Sequence, residues 1–259
     1  MQALPSALLQ AVEAIARAAG VAVMEVYASD FAVRGKGDAS PLTDADLRAE
    51  ALITKALLAL EPGLAVVAEE AHARGECPDA SGLQGQAFWL VDPLDGTREF
   101  VARNGEFTVN IALVCGCRPV LGVVYAPALG RLYAGEPGGG AWLHEGGARR
   151  VVHCRVVPTD GLTVATSRVH GDRAAVDDLL QGQRVAQQVS AGSSLKFGLL
   201  ATGQADVYPR YGRTMEWDTA AGHAVLLAAG GSVCDIHGVA LTYAKPGFEN
   251  PHFIARGLA

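Results

Sequence analysis

Basic residues are scarce in this chain of 259 residues: 21 lysines and arginines stand against 27 aspartates and glutamates, a formal net charge of −6 at pH 7. No lysine/arginine block occurs. This excludes the electrostatic footprint of a nucleic-acid polymer or of a polybasic membrane contact, while leaving room for a local basic pocket around a nucleotide-sized ligand. Cysteine is sparse too. Cys77, Cys115, Cys117, Cys154 and Cys234 form an odd, irregular set, which argues against a disulfide framework and fits a reducing cytoplasm. Cys115-Gly116-Cys117 has no second close pair to complete a thiolate metal site. The N-terminus lacks a basic n-region, and Glu13, Arg17 and Glu25 interrupt its apolar run, so neither a leader nor a membrane span is expected.

What is present is an ordinary globular balance, 50% hydrophobic and 19% charged. Leu4, Leu8, Val12, Ile15 and Ala19 recur at helical spacing, and a second helix is expected from Asp44 to Leu60, capped by Thr43 or Asp44, with Leu47, Ala51 and Leu58 inward. Short apolar runs then read as strands at 64–68, 88–91, 107–114, 120–125 and 131–134, with a hairpin at Pro137 to Trp142. A soft boundary near residue 150 separates an N-terminal α+β half (1–150) from a C-terminal α/β half (151–259). In the latter, strands at 162–165, 185–189, 206–208, 232–236 and 252–255 alternate with helices at 172–180, 194–201 and 218–229. Within the first half, residues 71–86 are Gly-rich and weakly patterned, a loop able to move over a site.

The informative run is Phe88-Trp89-Leu90-Val91-Asp92-Pro93-Leu94-Asp95-Gly96-Thr97-Arg98. An apolar strand delivers two carboxylates, three positions apart, to a turn punctuated by Pro93 and Gly96, where both side chains and the Leu94 carbonyl can converge. Hard cations such as Mg²⁺ take oxygen ligands of this kind. The N–H groups of Thr97 and Arg98 then open a short helix able to receive a phosphate. Taken alone, an aspartate pair at this spacing reads first as a surface turn in which both side chains cap amides. Two further acidic sites add weight: Glu69-Glu70 ends the strand at 64–68, and Glu216-Trp217-Asp218 opens the last long helix.

Asp92 to Thr97 resembles the D-P-(I/L/V)-D-G-(S/T) signature of the inositol monophosphatase superfamily, with Glu-Glu after a strand and Trp-Asp before a helix as its other elements. Arg103 to Asn110, Gly192-Ser193-Ser194-Leu195-Lys196-Phe197 and Trp217 to His223 are similar to the bacterial 3'(2'),5'-bisphosphate nucleotidases of the CysQ type, a likeness running from about Lys36 to Ile254. The resemblance implies a layered αβαβα sandwich and a phosphatase using two or three Mg²⁺ ions. Glu69, Asp92 and the Leu94 carbonyl would hold one ion; Asp92, Asp95 and Asp218 would hold a second. Glu70 and Asp44 would act in the outer shell, and Thr97, paired with Asp44, would orient and help deprotonate the attacking water. Two ions of this kind neutralise a phosphate dianion and supply a nucleophile near neutral pH.

By the same resemblance Glu69, Asp95, Gly96, Thr97, Arg98, His170, Ser193, Lys196, Arg210 and Asp218 contact substrate. Lys196 and Arg210 offer charges to a second phosphate. In inositol monophosphatases the position like Arg210 is typically acidic, so an arginine argues against inositol. The implied substrate is 3'-phosphoadenosine 5'-phosphate. An inositol or sugar phosphate is the alternative, and a non-catalytic nucleotide sensor a further one. A homodimer and a peripheral place at the inner membrane face are left open. Trp89, Trp217 and His223 are expected to be packing residues.

Overall fold

Apolar residues at helical spacing, started by polar caps, set the first elements of the fold. The computed structural model describes residues 4–35, 41–167 and 173–258. Helix α1 (Ala7–Tyr27) opens on Ser6, whose hydroxyl accepts the Leu9 N–H at 3.0 Å. Its fully buried stripe is Leu9, Val12, Ala16, Ala19 and Val23. Leu8 and Ile15 pack at the margin, and Leu4, expected inside, is 76% exposed. This helix is apolar and long enough by composition to cross a membrane, yet its stripe packs into a core with α2 and the first large sheet.

A pair of two-residue antiparallel strands, β1 (Arg34–Gly35) and β2 (Pro41–Leu42), precedes α2 (Asp44–Leu60). Thr43 is the N-cap, and Asp46 closes a capping box by accepting the Thr43 N–H at 2.8 Å and its hydroxyl at 2.7 Å. The inward face of α2 is Ala45, Asp46, Ala49, Glu50, Ile53 and Leu57, not the expected Leu47, Ala51 and Leu58. Ala51 and Leu58 are exposed. Two acids sit where a hydrophobic pattern would place aliphatic residues, so counting apolar side chains alone turns the helix to the wrong face.

The first sheet is a seven-stranded array in the order β3-β4-β5-β6-β7-β8-β9. It contains β3 (Ala65–Ala68), β4 (Ala87–Asp95), β5 (Thr108–Cys115), β6 (Arg118–Ala126), β7 (Arg131–Glu136), β8 (Gly140–Glu145) and β9 (Ala148–Val151). Helices α3 (Glu69–Ala73) and α4 (Ala80–Leu83) lie between β3 and β4, and α5 (Thr97–Val101) follows β4. Only β3 and β4 run parallel; the remaining strands form an antiparallel meander. The second sheet has the order β11-β10-β12-β14-β13. Its elements are β10 (Leu162–Thr166), α6 (Arg173–Leu179), β11 (Val185–Ser190), α7 (Leu195–Ala201), β12 (Val207–Arg210), α8 (Glu216–Ala228), β13 (Ser232–Asp235) and β14 (Phe253–Arg256).

Continuous apolar runs are the signature of strands buried on both faces, and β4 shows why. Trp89 and Val91 face the core shared with α1 and α2, whereas Phe88 and Leu90 join a core that includes α7, α8 and the second sheet. Leu162, Val164 and Val207 form a smaller cluster on the outer side of that sheet with Leu179 and Val176 of α6. The layers therefore run α1/α2, first sheet, α7/α8, second sheet, α6, the expected αβαβα order. Gly122 on β6 permits the close contact with α8, since a Cβ there would lie 2.3 Å from the Ala221 carbonyl oxygen. That approach brings the start of α8 beside the end of β4.

Candidate active site

The regular ladder between β4 and β5 holds to Asp92 opposite Asn110, then shifts so that Asp95 lies opposite Thr108. Pro93 and Leu94 thus face the single residue Val109, a bulge that re-aims the strand end. Asp92 is buried, and its Oδ1 accepts the Leu94 N–H at 3.0 Å. Gly96 follows with φ 87° and ψ 44°, a left-handed conformation. A Cβ there would also stand 2.8 Å from Ser193 Oγ, so both backbone and space require glycine. The turn releases Thr97 as the first residue of α5.

Asp95 is held by donors from two parts of the chain, Thr108 and Asn110 on β5 and Ser193 and Ser194 before α7. Its Oδ2 accepts the Ser194 N–H at 2.7 Å and the Ser194 hydroxyl at 2.8 Å, with Thr108 Oγ1 and Asn110 Nδ2 each at 3.4 Å. Its carbonyl accepts the Ser193 hydroxyl at 2.7 Å. Asp218, in the first turn of α8, accepts the Met215 N–H on Oδ2 at 2.8 Å. Burial, then the charges of Asp95 and Glu69, raise the Asp218 carboxyl well above the ordinary range. Glu69 opens α3 directly after β3, and Glu70 beside it is buried with its N–H donated to Glu50 Oε2 at 2.8 Å.

Thr97 is where the structure departs from expectation. Its hydroxyl lies 3.4 Å from Asp46 Oδ1 and 3.2 Å from the Leu94 carbonyl. Asp44 is instead exposed and pairs with Arg34 at 3.2 Å. The pairing expected of Asp44 is therefore made by Asp46, two residues on, because α2 buries the face that carries Asp46 and Glu50.

The cleft, about 430 Å³, is lined by Asp95, Gly96, Thr97, Arg98 and Asp218 from one group of elements and by Ser193, Lys196 and Arg210 from another. Ser193 sits at φ 51°, uncommon for a side-chain-bearing residue. Lys196 is not the solvated helix charge that its residue type suggests: it is 2% exposed, and its ammonium donates to the Ser193 and Ala191 carbonyls at 2.6 and 3.1 Å. The ammonium also lies 5.1 Å from the Tyr208 ring centroid, and burial lowers its pKa to about 8. Arg210 ends β12 and donates to the Arg213 carbonyl at 3.3 Å. Arg98 is exposed at the cleft edge. His170 lies outside the described residues.

Trp89, Trp217 and His223 are packing residues, as expected: all three are buried, and His223 Nδ1 lies 2.9 Å from the Tyr243 hydroxyl. Ser194, Asn110 and Asp46 were not anticipated. A usable signal existed for Asn110: with Thr108 it marks polar positions two apart on one face of an otherwise apolar strand. For Ser194 the only signal is its place in the Gly192 to Phe197 motif, which says nothing of its partners 24, 84 and 99 positions away.

Among the described residues, no three carboxylate, imidazole or thiol groups already stand close enough to enclose an ion. The chemistry of the donor set nonetheless fits Mg²⁺. The available donors are hard carboxylate and carbonyl oxygens, and the charges that raise the Asp218 pKa belong to Asp95 and Glu69, a mutual repulsion that a divalent cation between them relieves.

The Inositol monophosphatase family model matches residues 5–256. The chain belongs to that family, whose members are metal-dependent phosphatases, generally requiring Mg²⁺. Within it, the chain is 46% identical over 253 residues to the 3'(2'),5'-bisphosphate nucleotidase CysQ of Escherichia coli O157:H7, covering 95% of this chain and 98% of that one. It is also 46% identical over 250 residues to the CysQ nucleotidase of Salmonella typhimurium, with the same coverage. The crystal structure of CysQ from Bacteroides thetaiotaomicron superposes with a TM-score of 0.83 at 36% identity, over 97% of each chain.

Proposed function

We propose that this chain is a 3'(2'),5'-bisphosphate nucleotidase that hydrolyses 3'-phosphoadenosine 5'-phosphate to AMP and phosphate. One observation carries the reading: a single cleft is lined by Asp95, Thr97 and Asp218 and also by Ser193, Lys196 and Arg210. A reacting phosphate at the acidic group and a second, retained phosphate near the basic group suit a bisphosphate better than a monoester with one charged end. The nucleotidase names of the relatives agree with it.

Glu69, Asp92 and the Leu94 carbonyl would hold one Mg²⁺ and Asp92, Asp95 and Asp218 a second, with Glu70 in the outer shell beside any third. When bound, Mg²⁺ supplies charge neutralisation on the phosphate and makes water a stronger acid. The chain's own part is orientation. The Thr97 hydroxyl, 3.4 Å from Asp46 Oδ1 and 3.2 Å from the Leu94 carbonyl, would take a proton from the attacking water as it passes its own to the Asp46 carboxylate. An O–P bond forms as the bond to the ribose 3' oxygen breaks, and the departing oxygen takes up a proton from solvent in the open cleft. Arg210, a planar donor, suits the second phosphate. Lys196 contributes positive charge from beneath the Ser193 loop. A cytoplasmic place agrees with the five free cysteines. A homodimer, and a peripheral place at the inner membrane face, belong to the same reading as its outermost parts.

The test is phosphate release with Mg²⁺ from 3'-phosphoadenosine 5'-phosphate, inositol 1-phosphate and fructose 1,6-bisphosphate at equal concentrations. A strong preference for the nucleotide is expected, and Arg210→Ala should raise its KM on the order of tenfold while leaving inositol 1-phosphate unaffected. Preference for either alternative substrate overturns the substrate assignment; release from none of them brings forward the nucleotide sensor.

A further inference from the structure

Ser194 touches three residues of the site, Asp95, Asp218 and Asn110, and has no role assigned above. Its N–H and hydroxyl both reach Asp95 Oδ2, at 2.7 and 2.8 Å, its hydroxyl lies 2.8 Å from the Asp218 carbonyl, and it accepts from Asn110 Nδ2 at 2.9 Å. It is 2% exposed. Asp95 ends a strand of the first sheet and Asp218 begins α8, so one hydroxyl joins the two elements that meet at the cleft. We infer that Ser194 is a positioning residue, which fixes Asp95 against the first turn of α8 so that the acids of the two halves are held at one separation. This rests on the metal reading proposed above.

The support around Ser194 points the same way. The Gly192 N–H donates to Glu106 Oε2 at 2.8 Å, and the Ser193 hydroxyl donates to the Asp95 carbonyl. From below, Lys196 holds the Ser193 and Ala191 carbonyls. The loop is tied to the first half at the two residues before Ser194 and braced from its own helix, which accounts for a buried lysine in a loop-to-helix junction. A serine hydroxyl carries one proton. It can be donated to the Asp95 carboxylate or to the Asp218 carbonyl but not to both, while the Asn110 amide keeps the oxygen's lone pair occupied. Since the Ser194 N–H already serves Asp95, losing the hydroxyl releases the link to α8 while Asp95 keeps its backbone donor.

The experiment is Mg²⁺-dependent thermal stabilisation in the absence of substrate, on the full chain and on Ser194→Ala. The expected result is a Mg²⁺ midpoint about tenfold higher in the variant, with the metal-free Tm changed by only a few degrees. In turnover assays kcat should fall and KM for the phosphate ester stay within about twofold. Ser194→Cys keeps the shape and weakens the donor, and should give an intermediate midpoint; it is the protein to read should the alanine variant not fold. An unchanged Mg²⁺ midpoint, or a loss confined to the metal-free Tm, overturns the positioning role. Absence of any Mg²⁺ effect on the unsubstituted protein overturns the metal reading and this inference with it, whereas Mg²⁺ binding without nucleotide hydrolysis overturns only the proposed substrate.

Discussion

The acidic and basic sides of the cleft are built differently. The acidic side is assembled from element ends: β3 finishes at Ala68, just before Glu69, β4 finishes at Asp95, and Asp218 lies in the first turn of α8, so each carboxylate stands where a regular element starts or stops. The basic side is assembled from long side chains that act away from their own backbone, with Lys196 folded under its loop and Arg210 turned toward Arg213. An element terminus fixes a short side chain within a narrow range, whereas a lysine or arginine is fixed only by what it touches. Chemistry requiring a defined separation therefore falls to the first kind of position, and choice among substrates to the second.

The largest effect that would break this division is at Asp95. Asp95→Asn should lower kcat at least about a thousandfold, roughly 4 kcal/mol of barrier, while circular dichroism stays that of the parent. A well-folded asparagine variant with normal turnover would remove the acidic side from the chemistry. Next comes the pair on α2. Asp46→Asn should cost on the order of a hundredfold in kcat by leaving the Thr97 hydroxyl without its carboxylate, and Asp44→Asn less than about twofold, as for an exposed ion pair. Equal losses in both, measured side by side, would contradict the geometry of α2.

The smallest effect separates residues that touch the site from residues that only support it. Burial, with the nearby charges of Arg118 and Lys245, lowers the pKa of His223 to about 3, whereas an unfolded histidine titrates near about 6.5. Between these values the unfolded chain binds a proton that the folded one refuses, so stability should decline as pH falls from about 6.5 toward 3. His223→Gln should flatten that part of the Tm profile and leave turnover per folded molecule unchanged. A pH-rate profile that moved with the substitution would place His223 in the reaction.

The pattern of what could be read beforehand follows the same contrast. Most strands and the Asp92 to Thr97 turn were legible, because strand runs and terminal acids are local features, whereas the five-layer order came only with the family resemblance that this turn helps to carry. The inward face of α2 was not: Asp46 and Glu50 occupy buried positions, so the apolar residues that remain indicate a wrong phase. Strand β9 was also missed, since Ala148-Arg149-Arg150-Val151 is an exposed edge strand whose arginines conceal it. Ser194 depends on partners from other elements, and Lys196 on carbonyls three and five positions back that only the folded loop turns toward it, so residue type alone announces neither.

The helical layer of α7 and α8 is roofed by one sheet and floored by the other. Cutting the chain between the sheets would strip apolar cover from that layer, so neither half is a detachable module in this molecule. A side chain replaced in the cleft is therefore backed by an interior that both sheets share, and its effect on substrate choice is tied to its effect on folding.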